Sequence, residues 1–129
     1  MNEKGLRMNK KKILIVDDEE DMLLVLAKDL AARGYFIITA GNGKDAMLLA
    51  KSERPDLVIL DILMPEMGGQ EVAAMLKQDP RTQDIPVMFL SCLYNKAEEA
   101  KRGHIVGGNV MFAKPYDPKE LVSAVERLL

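Results

Sequence analysis

The stretch Leu57-Val58-Ile59-Leu60-Asp61-Ile62-Leu63-Met64-Pro65 sets four apolar residues ahead of one aspartate, and Gly68-Gly69 follows shortly after Pro65. A continuous apolar run closed by turn residues is the pattern of a strand buried on both faces, as in a parallel sheet. Asp61 then stands where that strand leaves the core. A carboxylate at such a place is costly unless something pairs with it.

Upstream, Lys12-Ile13-Leu14-Ile15-Val16 is a second run of this kind, and it ends at the acidic Asp17-Asp18-Glu19-Glu20-Asp21. From Glu20 to Arg33 the residues Met22, Leu23, Val25, Leu26, Leu30 and Ala31 recur at helical spacing, with Gly34 as the stop signal. Tyr35 to Ala40 is β-branched and aromatic, hence a strand. Asn42 caps a helix predicted from about Lys44 to Ser52. Downstream of Asp61 the pattern predicts a helix from about Gln70 to Gln78 and a polar connector from Arg81 to Pro86. A strand over Val87–Leu90 follows, closed by Ser91-Cys92. A charge-rich helix over Asn95–Lys101 and a short fifth strand over Val110–Ala113 come next. Lys114-Pro115 ends that strand, and Asp117-Pro118 opens the last helix with an N-cap and a proline at the first helical position. Strand and helix alternate five times, which argues an α/β domain: a five-stranded parallel sheet with helices on both faces. Residues 1–10 show no periodicity and read as a flexible leader, leaving 11–129 as one domain.

The 129 residues include 48% hydrophobic and 29% charged side chains, ordinary proportions for a globular domain. A net charge of -2 offers no basic face for direct nucleic-acid contact. The single cysteine, Cys92, cannot close an internal disulfide and fits a reducing compartment. No apolar run approaches the roughly 18 residues of a membrane span, and no signal-peptide core precedes the first strand. These features predict a cytoplasmic domain without membrane contact.

In a parallel sheet the strand C-termini share one edge, and ligands bind in the crevice there. Asp17 and Asp18 end the first strand, Asp61 the third, Ser91 the fourth and Lys114 the fifth. Carboxylates gathered so closely call for a cation, and hard oxygen ligands with room for water and phosphate suit Mg2+. A carboxylate can attack phosphorus to give an aspartyl phosphate. That transfer needs in-line positioning and charge stabilisation on the equatorial oxygens, which a metal at Asp18 and Asp61, the Lys114 ammonium and the Ser91 hydroxyl would supply. Taken alone, Asp17, Asp18 and Asp21 are N-cap and first-turn acids complementing a helix dipole, Ser91 is a turn residue and Lys114 a simple surface charge. Their convergence on one edge is what favours a site.

The acidic pair after the first strand, Asp-x-x-Met-Pro at Asp61–Pro65, Ser91 after the fourth strand and Lys114-Pro115 after the fifth together resemble the receiver domain of two-component response regulators. The resemblance covers about residues 11–129. It implies a flavodoxin-like fold with strand order 2-1-3-4-5, and a signalling switch that catalyses only its own phosphorylation and dephosphorylation. By the same resemblance, a sensor histidine kinase or phosphotransfer protein donates its phosphoryl group to Asp61. Asp18, Asp61 and the backbone carbonyl of Leu63 ligate Mg2+, with Asp17 acting largely through water, and Ser91 and Lys114 hold the phosphoryl oxygens. The change is then relayed through the face of the fourth helix, fifth strand and fifth helix to a downstream protein or to a second copy of the chain.

This sequence departs from the family pattern in four places. Met111 stands where an aromatic switch residue is usual, which predicts a weaker switch or one carried by Tyr116 or Phe112. Cys92 replaces a smaller residue after Ser91; its default is a buried inert thiol, and its size would narrow access to the phosphoryl group. Leu63 is apolar where a polar side chain would orient an attacking water, which predicts a long-lived phosphate. Gly68 replaces a frequent aspartate and weakens a helix cap. Two other functions compete. A pseudo-receiver would keep the fold as a protein-interaction module without the chemistry. A Mg2+-dependent phosphohydrolase of the haloacid dehalogenase type would place Asp-x-Asp after the first strand, where this chain has adjacent Asp17-Asp18. By the resemblance the chain is either a stand-alone receiver or one domain of a longer regulator.

Overall fold

A computed structural model describes residues 10–94, 96–102, 105–106 and 109–129. The leader expected over residues 1–10 lies outside them except for Lys10. The elements run β1 (Lys12–Val16), α1 (Glu20–Ala31), β2 (Phe36–Ala40), α2 (Gly43–Glu53), β3 (Leu57–Asp61), α3 (Gly69–Gln78), β4 (Val87–Ser91), α4 (Lys96–Arg102), β5 (Ile105–Val106), β6 (Asn109–Ala113) and α5 (Pro118–Leu128).

The sheet has the order β2-β1-β3-β4-β6-β5. Its first five members are parallel and reproduce the predicted order 2-1-3-4-5, with β6 as the fifth predicted strand. The sixth, β5, was not expected. It is two residues long and pairs antiparallel with the start of β6, Ile105 opposite Val110 and Val106 opposite Asn109. So short an edge carries no periodicity to read, and it covers the open side of β6 only at its base.

Alternation along each strand divides the core into two layers. Ile13, Ile15, Leu57, Ile59, Met88, Leu90 and Phe112 pack against Leu23, Leu26 and Leu30 of α1 and Leu121, Val122 and Val125 of α5. Leu14, Val16, Val58, Leu60 and Phe89 face Ala46, Met47 and Ala50 of α2 and Val72 and Leu76 of α3. All of β3 is buried, as its unbroken apolar run required. Helix α1 uses a narrower stripe than its spacing suggested: Leu23, Leu26 and Leu30 are buried, while Val25 and Ala31 are exposed.

Local signals set the ends. Gly34 adopts φ +96, a left-handed conformation that favours glycine, two residues before β2. The Asn42 side chain accepts from Asp45 N–H at 2.8 Å, and Asp117 accepts from Lys119 N–H at 2.9 Å ahead of Pro118. Helix α3 starts at Gly68 without a side-chain cap, as expected. At its other end the buried Thr82 hydroxyl donates to Leu76 O at 2.7 Å. Among the described residues no helix is long and apolar enough to cross a membrane.

The turn after β3 depends on a close approach. Gly69 donates its N–H to Ile62 O at 3.0 Å, and a Cβ at Gly69 would collide with the carbonyl oxygen of Asp61. Gly69→Ala is therefore expected to cost about 1–3 kcal/mol through overpacking. Gly41→Ala, where a Cβ meets nothing within 4 Å, stays within about 0.5 kcal/mol of wild type. Urea unfolding followed by circular dichroism separates the two variants.

Candidate functional site

Register aligns the strand ends at one edge. Val16 lies beside Leu60 and Ala40, Asp61 beside Leu90, and Ser91 beside Ala113. The residues just beyond each strand therefore meet above the sheet. Asp17 follows β1 and is buried; its N–H donates to Ala40 O at 3.2 Å. One Asp17 carboxylate oxygen accepts from Glu19 N–H at 2.9 Å and so ties down the entry to α1. The other accepts from Lys114 Nζ at 2.9 Å.

Lys114 follows β6, and its main-chain N–H donates to Ser91 O at 3.1 Å. Its ammonium reaches three carboxylates: Asp17 at 2.9 Å, Glu19 at 3.2 Å and Asp61 at 3.4 Å. Burial alone would lower the Lys114 pKa. The hydrogen bond that Lys114 donates to Asp17 and the charges of Asp17 and Asp61 outweigh that and hold it above its ordinary value.

Asp61 is 2% exposed, and its Oδ1 has no hydrogen-bond partner among the described residues. Burial, and then the neighbouring Asp17 charge, push its pKa up to about 6, with Lys114 opposing them. A buried carboxylate oxygen left unpaired is expensive, and such an exception calls for an explanation such as a catalytic role or a bound ion. One oxygen each from Asp17, Glu19 and Asp61 lies within 4.8 Å of the others. The all-oxygen donor set and the orphaned Oδ1 fit a hard divalent cation.

The site gathers some of the predicted residues and not others. Asp17, Asp61 and Lys114 are in contact. Ser91 is buried at the end of β4, and its hydroxyl accepts from Leu93 N–H at 3.1 Å. Asp18 is exposed and lies outside the group whose oxygens come within 4.8 Å of one another, which includes the likewise exposed Glu19. Glu19 was missed because a glutamate opening a helix already has a sufficient reading as a first-turn acid; its only sequence signal was direct adjacency to the acidic pair. Leu63 is 47% exposed just after β3. Cys92 is exposed, so the default of a buried thiol does not hold. Met111 lines a groove of about 510 Å³ with Ala73, Val87 and Phe89. Phe112 is fully buried on the opposite face, and Tyr116 packs against that same layer.

A family model described as the response regulator receiver domain matches residues 13–126. The chain belongs to this family. It is 36% identical over 124 residues to a probable transcriptional regulator, ycf27, of Cyanophora paradoxa, a match covering 96% of the chain and 50% of the relative. It is also 36% identical to the alkaline phosphatase synthesis transcriptional regulatory protein PhoP of Bacillus subtilis, over 92% of the chain and 48% of the relative. The receiver thus spans about half the length of these curated relatives. The chemotaxis protein CheY4 of Vibrio cholerae is 28% identical and superposes with a TM-score of 0.79, covering 93% of this chain and 99% of that one. A response regulator from Desulfuromonas acetoxidans is 30% identical with a TM-score of 0.76, covering 92% and 95%.

For a receiver without metal, the state of Asp61 gives a signed pH dependence. Its folded pKa of about 6 stands above the ordinary 3.8, so between these values the native state binds more protons than the unfolded chain. Stability then falls as pH rises through that window, and the penalty is complete above it. In the presence of chelator, Asp61→Asn is expected to be more stable than wild type at pH 7.5, by about 1–3 kcal/mol for relief of the unpaired group. The gap should close toward pH 4. Thermal melts across that range check both the sign and the window.

Proposed function

We propose that this receiver is a phosphoryl-accepting switch whose acceptor is Asp61. The observation that carries the reading is the combination of a buried Asp61, an unpartnered Oδ1 and an ammonium 3.4 Å from Oδ2. An oxygen of Asp61 attacks phosphorus of a phosphohistidine on a sensor kinase or phosphotransfer protein; the P–N bond breaks, and the imidazole leaves with a proton. Lys114 moves its charge from the carboxylates to the incoming phosphoryl oxygens, and the Ser91 hydroxyl donates to another of them. Mg2+ bound among the acidic groups would neutralise the charge that builds on the transferring phosphoryl. Asp61, Asp18, the Leu63 carbonyl and, through water, Asp17 are the ligands the family resemblance implies, and the position of Glu19 adds a further carboxylate near them. The phosphorylated form changes contacts on the face of α4, β6 and α5, toward a downstream protein or a second copy of the chain. The phosphohydrolase alternative is disfavoured because the free carboxylate oxygen lies on β3, not on β1.

Incubation with acetyl phosphate and Mg2+ should add one phosphoryl group to the intact mass, and Asp61→Asn should add none. An adduct that survives in the variant would place the acceptor elsewhere. The half-exposed, apolar Leu63 at the rim cannot orient a water toward phosphorus. Leu63→Asn is therefore expected to shorten the half-life of the adduct several-fold, which decay of the same mass peak after donor removal will read.

A further inference from the structure

One buried carboxylate takes no part in the chemistry above. Glu99, on α4, is 7% exposed although its helix is otherwise rich in exposed charge. One of its oxygens accepts from the main-chain N–H of Ala113 at 2.8 Å, and the other lies 3.2 Å from Lys96 Nζ. Acidic side chains are rarely buried unless paired in this way.

The bond occupies a particular place in the sheet. Along a strand, successive amides point to opposite edges. Lys114 gives its N–H inward to Ser91 O of β4, so the Ala113 N–H points outward. Strand β5 pairs with β6 only at Asn109 and Val110, and Ala113 is 1% exposed. A buried amide there needs an acceptor, and Glu99 supplies the one an adjoining strand would have given. The Ala113–Lys114 backbone is therefore clamped from both sides, by β4 through Ser91 and by α4 through Glu99. From that clamp the Lys114 ammonium reaches Asp17 and Asp61.

We infer that Glu99 is a positioning residue for phosphoryl transfer: its carboxylate holds the Ala113–Lys114 backbone so that the ammonium meets the phosphoryl oxygens, and it ties α4 to the site. It rests on Asp61 being the acceptor. Displacement of Lys114 toward a phosphoryl group pulls on Ala113, and the Glu99 bond passes that pull to α4. Met111 carries neither hydroxyl nor ring, and this main-chain route needs neither.

Wild type, Glu99→Gln, Glu99→Leu and Glu99→Asp are treated with acetyl phosphate and Mg2+ and the adduct is timed by intact mass, with circular dichroism as the check on folding. Glu99→Gln keeps an oxygen for the Ala113 N–H and is expected close to the wild-type rate. Glu99→Leu has no acceptor, and Glu99→Asp falls one methylene short. Both are expected to be about tenfold slower or more, as ångström-scale misplacement of a reacting group commonly costs. A merely structural Glu99 would lower melting temperatures without separating the rates of Glu99→Gln and Glu99→Asp. Equal rates in all four chains, or a Glu99→Gln as slow as Glu99→Leu, overturns the inference. If Glu99→Leu does not fold, the Gln and Asp variants decide, and equal rates in those two overturn it. A wild type that takes up no phosphate removes the acceptor reading itself.

Discussion

The Lys114 ammonium sits among three carboxylates contributed by two strand ends and a helix entry, and the geometry of the edge depends on it. Without it, Asp17 and Asp61 would stand buried side by side as like charges, a placement that costs several kcal/mol per ion in an uncompensated interior. With it, Asp17 is satisfied at both oxygens, one on Lys114 and one on Glu19 N–H. Asp61 is not. It keeps a distant contact to the ammonium at 3.4 Å and one oxygen with no partner among the described residues. The strain of the site is thus concentrated on the one carboxylate that the proposed chemistry modifies.

This asymmetry follows from the backbone. Asp17 is the first residue beyond β1, at a point where the chain turns into α1 and its side chain can reach the N–H of Glu19. Asp61 is the last residue of a strand buried throughout, and the following turn is packed so closely that Gly69 lies against its carbonyl. Among the described residues no main-chain N–H donates to Asp61 Oδ1. That unpaired oxygen is why the proposed cation or phosphoryl group is assigned to Asp61.

The strands that carry the site present different side chains to the two layers. Phe112 and Tyr116 face the layer of α1 and α5, while Met111 opens onto a groove beside α3 on the other side. The residues proposed from sequence as substitutes for an aromatic switch therefore point away from the groove that Met111 lines. The hydrogen bond from Ala113 to Glu99 joins the site's own backbone to α4 directly, and it does so in the plane of the sheet.

The periodic features were legible in the residues alone. Apolar runs of four, helical spacing, Gly34, Asn42 and Asp117-Pro118 determined the element order, and the order of a parallel α/β sheet determined that Asp17, Asp61, Ser91 and Lys114 share an edge. Those are consequences of burial and of backbone geometry, which act locally and repeat. What the tertiary structure decided was pairing between groups distant in the chain: that Glu19 rather than Asp18 reaches Lys114; which oxygen of Asp61 has no partner among the described residues; and that a glutamate in a charge-rich helix reaches an amide 14 residues away. The two-residue β5 belongs with these. Single hydrogen bonds and ion pairs leave no period in a sequence, because their partners are chosen only when the sheet brings them within about 3 Å of one another.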